Sequence, residues 1–352
     1  MTSGLCVCGT RWGFFLATEL RKFYSGPLYL CGRDAGRTPA LARRLKAAGF
    51  FLEWQSAVSD PRIRTILLAL PHHLHRPVAE AAIAQGKHVF VEKPIAHNRE
   101  DADAMIRAAR QAGVVLAVGE NVPFRPDIRL ATSLLAEIGA GREVHTMAVN
   151  RTRPAGWRTQ PNEMGGGVLI DFGVHHVRAV RILLGEPHRV YATAAPQTLT
   201  EMEGEDNATV LLEGTGWHAS IHVSWAADIG RHPEFLVIAD GGSLKLWPHG
   251  RYVDLYTNRP GWRSRLVSHI KPWRLQQALR SPEAQRQRRT ISGDPFGYQA
   301  ELREFLQAAA RGTADTTSAE QARRDLEVVQ AAYQSMASGK PVDLRPPAAP
   351  VS

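Results

Sequence analysis

Three short stretches carry side chains whose types and spacing can do chemistry. In His88-Val89-Phe90-Val91-Glu92-Lys93-Pro94 a charged pair closes an apolar run. On a buried strand, Lys93 stands at the C-terminal tip, where an amine can pass a proton to or from a substrate hydroxyl; the plainer alternative is a surface Glu-Lys pair. In Gly165-Gly166-Gly167-Val168-Leu169-Ile170-Asp171-Phe172-Gly173-Val174-His175-His176, three glycines open a helical pattern. Asp171 and His175 are four apart and share a helix face. A carboxylate beside an imidazole can orient its tautomer or act on a substrate oxygen. As metal ligands the two lack a third partner, so no metal is expected there; the remaining alternative is a satisfied core histidine.

The third stretch, Cys8-Gly9-Thr10-Arg11-Trp12-Gly13-Phe14, follows an apolar run and precedes a helical one. Dinucleotide-binding folds put their glycine turn there, so that backbone amides and a helix N-terminus meet the pyrophosphate. Only Gly9 and Gly13 are present and the central glycine is missing, so the alternative for this stretch alone is a plain strand-to-helix turn. About 20 residues on, where such folds read the ribose, stands Cys31-Gly32-Arg33-Asp34. Gly32 leaves room and Arg33 can pair with a 2′-phosphate, which favours NADP(H). A one-residue shift of the strand end would put Asp34 on the ribose and restore NAD(H).

The elements that must position these groups follow from periodicity. Up to about residue 120, apolar runs at 5–8, 28–31, 65–70, 88–91 and 114–118 alternate with helical patterns at 13–23, 75–85 and 99–112. That alternation predicts βαβ units and a parallel sheet covered on both faces. Beyond residue 121 come helices at 126–138 and 169–184, then β-like runs at 144–150, 190–194, 208–212, 218–225, 235–239 and 243–247. Short turns between the later runs predict an open, mostly antiparallel sheet. Helices at 298–310 and 319–337 close the chain. The predicted organisation is an α/β Rossmann domain over residues 1–120 and an α+β domain over 121–346 for substrate binding and oligomerisation, with 259–294 as a polar, basic insertion or loop.

Composition bounds the rest. The 352 residues suit two domains, and 44% hydrophobic with 22% charged suits a globular core. The net charge of +9 comes largely from arginines scattered among acids. No aromatic interleaving or reader motif accompanies them, so a nucleic-acid partner is not expected, whereas a positive field favours anionic ligands. Cys6, Cys8 and Cys31 lie in strand-like runs. An odd count with no secretion signal points to the cytoplasm and to buried thiols rather than disulfides. No uncharged apolar window is long enough to span a bilayer, so no membrane association is expected.

Taken in order, these motifs resemble the Gfo/Idh/MocA family of nicotinamide-dependent oxidoreductases. The resemblance runs through the glycine turn, Thr65 to Leu70 with Pro71-His72-His73-Leu74-His75, Gly86-Lys87-His88-Val89 into Glu92-Lys93-Pro94, the Asp171/His175 segment and the Tyr298 helix. It implies that Lys93 and His175 handle protons while Asp171 positions substrate. It also implies that Gly9, Thr10, Arg11, Trp12, Gly13, Arg33, Pro71, His72, His75, Glu92 and Asn121 lie at the cofactor, and that Trp157 and Arg158 join the substrate pocket. Position 178, often acidic in the family, is Arg178 here; pointing inward, it would favour an acidic or phosphorylated substrate. The implied activity is NADP(H)-dependent interconversion of a hydroxyl and a carbonyl on a small polyol, sugar or cyclitol. The alternatives are a non-catalytic nicotinamide-binding regulatory or assembly protein and an imine reductase. The implied partners are a small-molecule substrate and a second or further copies of the chain, as a homodimer or homotetramer through the C-terminal sheet.

Overall fold

The computed structural model describes residues 4–248, 250–257 and 285–345. The first sheet is built from β1 (Gly4–Cys8), β2 (Leu28–Cys31), β3 (Gly49–Phe51), β4 (Ile63–Leu68), β5 (His88–Glu92) and β6 (Leu116–Gly119). These strands pair in the order β3-β2-β1-β4-β5-β6, and every pairing is parallel. β1 and β2 are buried at every position, as a sheet covered on both faces requires. The covering helices are α1 (Trp12–Arg21), α2 (Arg37–Arg44), α3 (Trp54–Ser59), α4 (His75–Ala84) and α5 (Arg99–Ala112). α5 shows how the sequence starts one: Asn98 Oδ1 accepts from the Asp101 amide at 2.8 Å, and Glu100 and Asp101 occupy the first turn, complementing the helix dipole. Strand order reverses between β1 and β4, and that crevice is where such sheets bind ligands.

The second half contains α6 (Pro126–Ile138), β7 (Gly141–Val149), the short α7 (Pro161–Met164), α8 (Val174–Leu184), β8 (Arg189–Thr193), β9 (Asn207–Gly214), β10 (Trp217–Ser224), β11 (Phe235–Ala239), β12 (Gly242–Leu246), β13 (Tyr252–Thr257), β14 (Gln285–Thr290), α9 (Tyr298–Arg311), α10 (Thr317–Ser338) and β15 (Val342–Asp343). Among the described residues its nine strands run β14-β13-β12-β11-β7-β10-β9-β8-β15. The β7–β10 pairing is parallel and the others are antiparallel. Burial alternates along β7, β9 and β10, so one face packs on α8 and α10 while the other stays open. The three cysteines are free and buried. Among the described residues no helix is long and apolar enough to cross a membrane.

Several expectations change. Residues 285–290, read as part of a loop over 259–294, form edge strand β14 on β13; residues 259–284 of that expected loop lie outside the described residues. Helix 169–184 does not begin as a regular helix, because Leu169–Gly173 is one turn of π-helix running into α8. The predicted boundary near residue 120 separates the two sheets but not the helices. Leu302, Phe305 and Ala308 of α9 share a buried cluster with Leu5, Val7, Leu16 and Phe90 of the first domain. Arg178 is engaged by a carboxylate instead: it is buried, and its Nε donates to Asp325 Oδ2 of α10 at 2.6 Å. The carboxylate across the helix pair claims the guanidinium, and the local sequence could not reveal it.

Candidate functional site

A cleft of about 870 Å³ opens at the C-terminal edge of the first sheet, lined by the β1–α1 turn, the tips of β2, β4 and β5, and the segments carrying Trp157 and His175. Gly9, with φ +127°, ends β1; a Cβ there would sit 2.3 Å from the Ala69 carbonyl oxygen. Only glycine lets the chain turn that close to β4. Thr10, Arg11 and Trp12 face the cleft from this turn, together with Arg33, Pro71, His72, Glu92 and Asn121. Gly13 does not; it lies in α1, where a Cβ would press within 3.2 Å of Val7, so it serves close packing of helix on strand. His75 does not either. Its ring is buried between the Pro94 and Leu70 carbonyl oxygens at 2.9 and 3.0 Å, and burial lowers its pKa to about 4, which makes it a neutral brace beneath the lysine loop.

Two groups of residues stand over the opposite end of the cleft. In the first, Lys93 Nζ donates to the main-chain oxygen of Asp171 and, at 3.2 Å, to its Oδ1. Arg158 Nε donates to Asp171 Oδ2 at 3.2 Å, and His72 Nε2 lies 3.7 Å from Oδ1. Burial alone would raise the Asp171 pKa, but Lys93 and Arg158 overcome it and hold the carboxyl well below its usual range. His72 gives its Nδ1 to the Met164 carbonyl oxygen at 2.7 Å, and burial keeps the ring neutral. Asp171 is therefore a fixed anion that orients a lysine and an arginine.

The second group is His175 with Glu120. The imidazole Nδ1 lies 2.8 and 3.0 Å from the two Glu120 oxygens. Burial pushes the Glu120 carboxyl up, yet the neighbouring His175 and Arg178 bring it down to about 2. A carboxylate bonded to one ring nitrogen fixes the tautomer and leaves the other for a substrate. Glu120 is the main residue the sequence reading missed; the available signal was an acid one step past the β6 tip, beside Asn121, which was singled out. Tyr298, in the cleft wall, stacks edge-on with Trp12 at 5.5 Å.

The π turn sets the spacing of Asp171 and His175. The Gly167 amide just ahead of it and the Ile170 amide within it donate to the Tyr333 hydroxyl at 3.2 and 3.3 Å, and that hydroxyl donates to Glu205 Oε1 at 2.8 Å. A Cβ on Gly167 would meet the Glu205 carbonyl oxygen at 2.0 Å, which explains a glycine there. Glu92 lies between the two ends of the cleft: Trp12 Nε1 donates to it at 2.8 Å, and burial raises its pKa to about 7.

At the far end, Thr10, Arg11, Arg33, Asp34 and Arg37 border a side basin of about 390 Å³. Asp34 Oδ1 accepts from the Gly36 and Arg37 amides at 2.9 and 2.8 Å, so this oxygen closes its own turn. Next to Lys93 a second chamber of about 280 Å³ is lined by Arg11, Arg153, Arg158 and Asp171. The glycine turn, the helix N-terminus without acidic residues in its first turn, and the cations at both ends form a donor set that fits a dinucleotide.

Residues 7–120 match the family described as "Oxidoreductase family, NAD-binding Rossmann fold", and residues 128–245 match the "GFO/IDH/MocA C-terminal domain". Levoglucosan dehydrogenase of Pseudarthrobacter phenanthrenivorans is 30% identical over 50% of this chain and 47% of its own length. The scyllo-inositol 2-dehydrogenase (NADP(+)) IolU of Bacillus subtilis is 29% identical over 62% of this chain and 70% of its own. The match covers about half the length of the first curated relatives, 47% to 57% of each. Among solved structures, GenD2 from gentamicin A biosynthesis in complex with NAD superposes with a TM-score of 0.79 at 27% identity, covering 98% of this chain and 97% of that one. Levoglucosan dehydrogenase with NADH and levoglucosan gives 0.80 at 20% identity over 97% and 99%, a likeness of fold. With both halves matched in order on these two sheets, the chain belongs to the Gfo/Idh/MocA family of oxidoreductases.

Proposed function

We propose that the chain is an NADP(H)-dependent oxidoreductase that interconverts a hydroxyl and a carbonyl on a small polyol, sugar or cyclitol bearing an acidic group. The observation that carries this reading is the pair of buried acids, Asp171 and Glu120, each holding one proton-handling group, Lys93 and His175, at the wall of one cleft. A nicotinamide bound in that cleft would supply the hydride acceptor or donor. Lys93 as an ammonium donates to the substrate oxygen in reduction, and as an amine it accepts the hydroxyl proton in oxidation. His175, with Nδ1 committed to Glu120, presents Nε2 for the same transfer or for a neighbouring hydroxyl. Trp157 and Arg158 wall the substrate end. The acidic group follows from charge: one carboxylate, Asp171, faces Arg11, Lys93, Arg153 and Arg158 in the adjoining chamber. NADP(H) is favoured by Arg11, Arg33 and Arg37 around the ribose-side basin, with Asp34 engaged on its own turn.

The test is oxidation of NADPH by the purified full chain against keto-sugars, inososes, and keto-aldonates or uronates, read by loss of reduced-cofactor absorbance. Turnover of acidic carbonyl substrates with NADPH is expected. NADPH binding without turnover of any carbonyl compound would overturn the reading in favour of a non-catalytic protein.

A further inference from the structure

Away from the cleft, the open face of the second sheet carries a group of side chains that the proposed reaction does not use. Glu143 and His145 are two apart on β7 and point to the same face. His218 of β10 is the register partner of Glu143, and Ser220 is the partner of His145. His145 Nε2 lies 3.1 Å from Glu143 Oε2, and His218 Nε2 lies 3.7 Å from the same oxygen. The three ligand atoms all fall within 4.8 Å of one another. We propose that Glu143, His145 and His218 form a binding site for a divalent transition metal of the zinc class.

Three features go beyond proximity. Zinc takes nitrogen ligands at about 2.0–2.1 Å and oxygen at about 2.0–2.2 Å, so neighbouring ligands of a tetrahedral ion stand roughly 3.4 Å apart. The two separations to Glu143 Oε2, 3.1 and 3.7 Å, bracket that edge. The His145 Nδ1 lies 2.8 Å from Ser220 Oγ. Donation from Nδ1 to that hydroxyl leaves the Nε2 lone pair facing the cluster, the second-sphere arrangement that metal-bound histidines use. The ligands also come from adjacent central strands, β7 and β10, which flank each other inside a nine-stranded sheet, so the backbone holds them without a loop to order. Two imidazoles and one carboxylate select zinc-like ions over calcium or magnesium, which take oxygen ligands. Three protein ligands leave a fourth position open. With the side chain of His218 60% exposed, that position faces outward from the sheet.

The experiment is calorimetric titration of chelator-treated full chain with Zn2+, alongside Co2+ titration read by visible absorption. One saturable equivalent and the spectrum of four-coordinate cobalt are expected. Both should be absent in the double substitution His145→Ala with His218→Ala, and affinity should fall about 10- to 100-fold in Ser220→Ala. The milder His218→Gln is made in parallel, and NADPH binding by each variant reports that it is folded. No saturable zinc at micromolar concentration, or an equivalent that survives the double substitution, overturns the proposal. Neither result bears on the cleft, whose activity is measured separately.

Discussion

Replacing Glu120 with Gln keeps the shape of the side chain and removes its charge. In the native protein the carboxyl is held at about 2 instead of 4.5, with His175 the strongest neighbour opposing the effect of burial. Each pKa unit corresponds to about 1.4 kcal/mol, so ionised Glu120 stabilises the fold by on the order of 3 kcal/mol. The pKa is depressed on folding. That stabilisation is therefore complete above pH 4.5, half lost near pH 3 and gone near pH 2. Glutamine mimics the protonated acid, so the E120Q variant should unfold several degrees lower than the wild type at pH 7, and the two curves should converge as the pH approaches 2. The hydrogen bond from His175 to a charged acceptor contributes about 1.5–3 kcal/mol. If the ring takes up a proton in the transition state, turnover falls roughly 10- to 100-fold. Thermal unfolding across pH and steady-state NADPH oxidation measure both quantities, with NADPH affinity as the control for an intact cleft. A variant with native turnover and a midpoint difference that ignores pH would refute the assignment of Glu120 as the positioning residue for His175.

Lys93→Met should retain NADPH binding by fluorescence titration while turnover drops by about 100-fold or more; equal turnover would remove Lys93 from the reaction. Arg33→Gln should weaken NADPH binding about tenfold or more and leave NADH binding unchanged, because only the former loses a charge-assisted contact; an equal loss for both would refute the basin's assignment. Burial raises Glu92 from 4.5 to about 7, so ionising it costs stability that accumulates between those pH values and persists above them. Glu92→Gln, which cannot ionise and still accepts from Trp12, should therefore unfold higher than the wild type at pH 8 and together with it near pH 4.5, by calorimetry without cofactor.

The parallel sheet was legible because strands covered on both faces read as unbroken apolar runs, such as residues 65–70. β3 was not: it is three residues long and half-buried. β13 hides for a different reason. Its Asp254 is fully buried, yet it reads as polar because the partners that satisfy it, Arg286 and Arg288 on β14 and Trp247, lie elsewhere in the chain. At the site, Lys93, Asp171 and His175 stood out because each sits at a strand tip or a glycine-marked helix start. Glu120 and Arg178 were misread or missed because their roles are set by His175, 55 residues away, and Asp325, 147 residues away. A local pattern reports which residues share an element, but not which distant charge will claim them.

The return of α9 to the first sheet has a consequence for how the chain is made. A nascent chain that has just emerged through β6 possesses every strand of its first sheet, but not Leu302, Phe305 and Ala308, which complete the cluster around Leu5, Val7, Leu16 and Phe90. Synthesis must run past Ala308 before that face is sealed. A fragment stopped at residue 120 would expose a greasy flank and tend to clump, whereas adding residues 298–311 in trans should rescue its solubility.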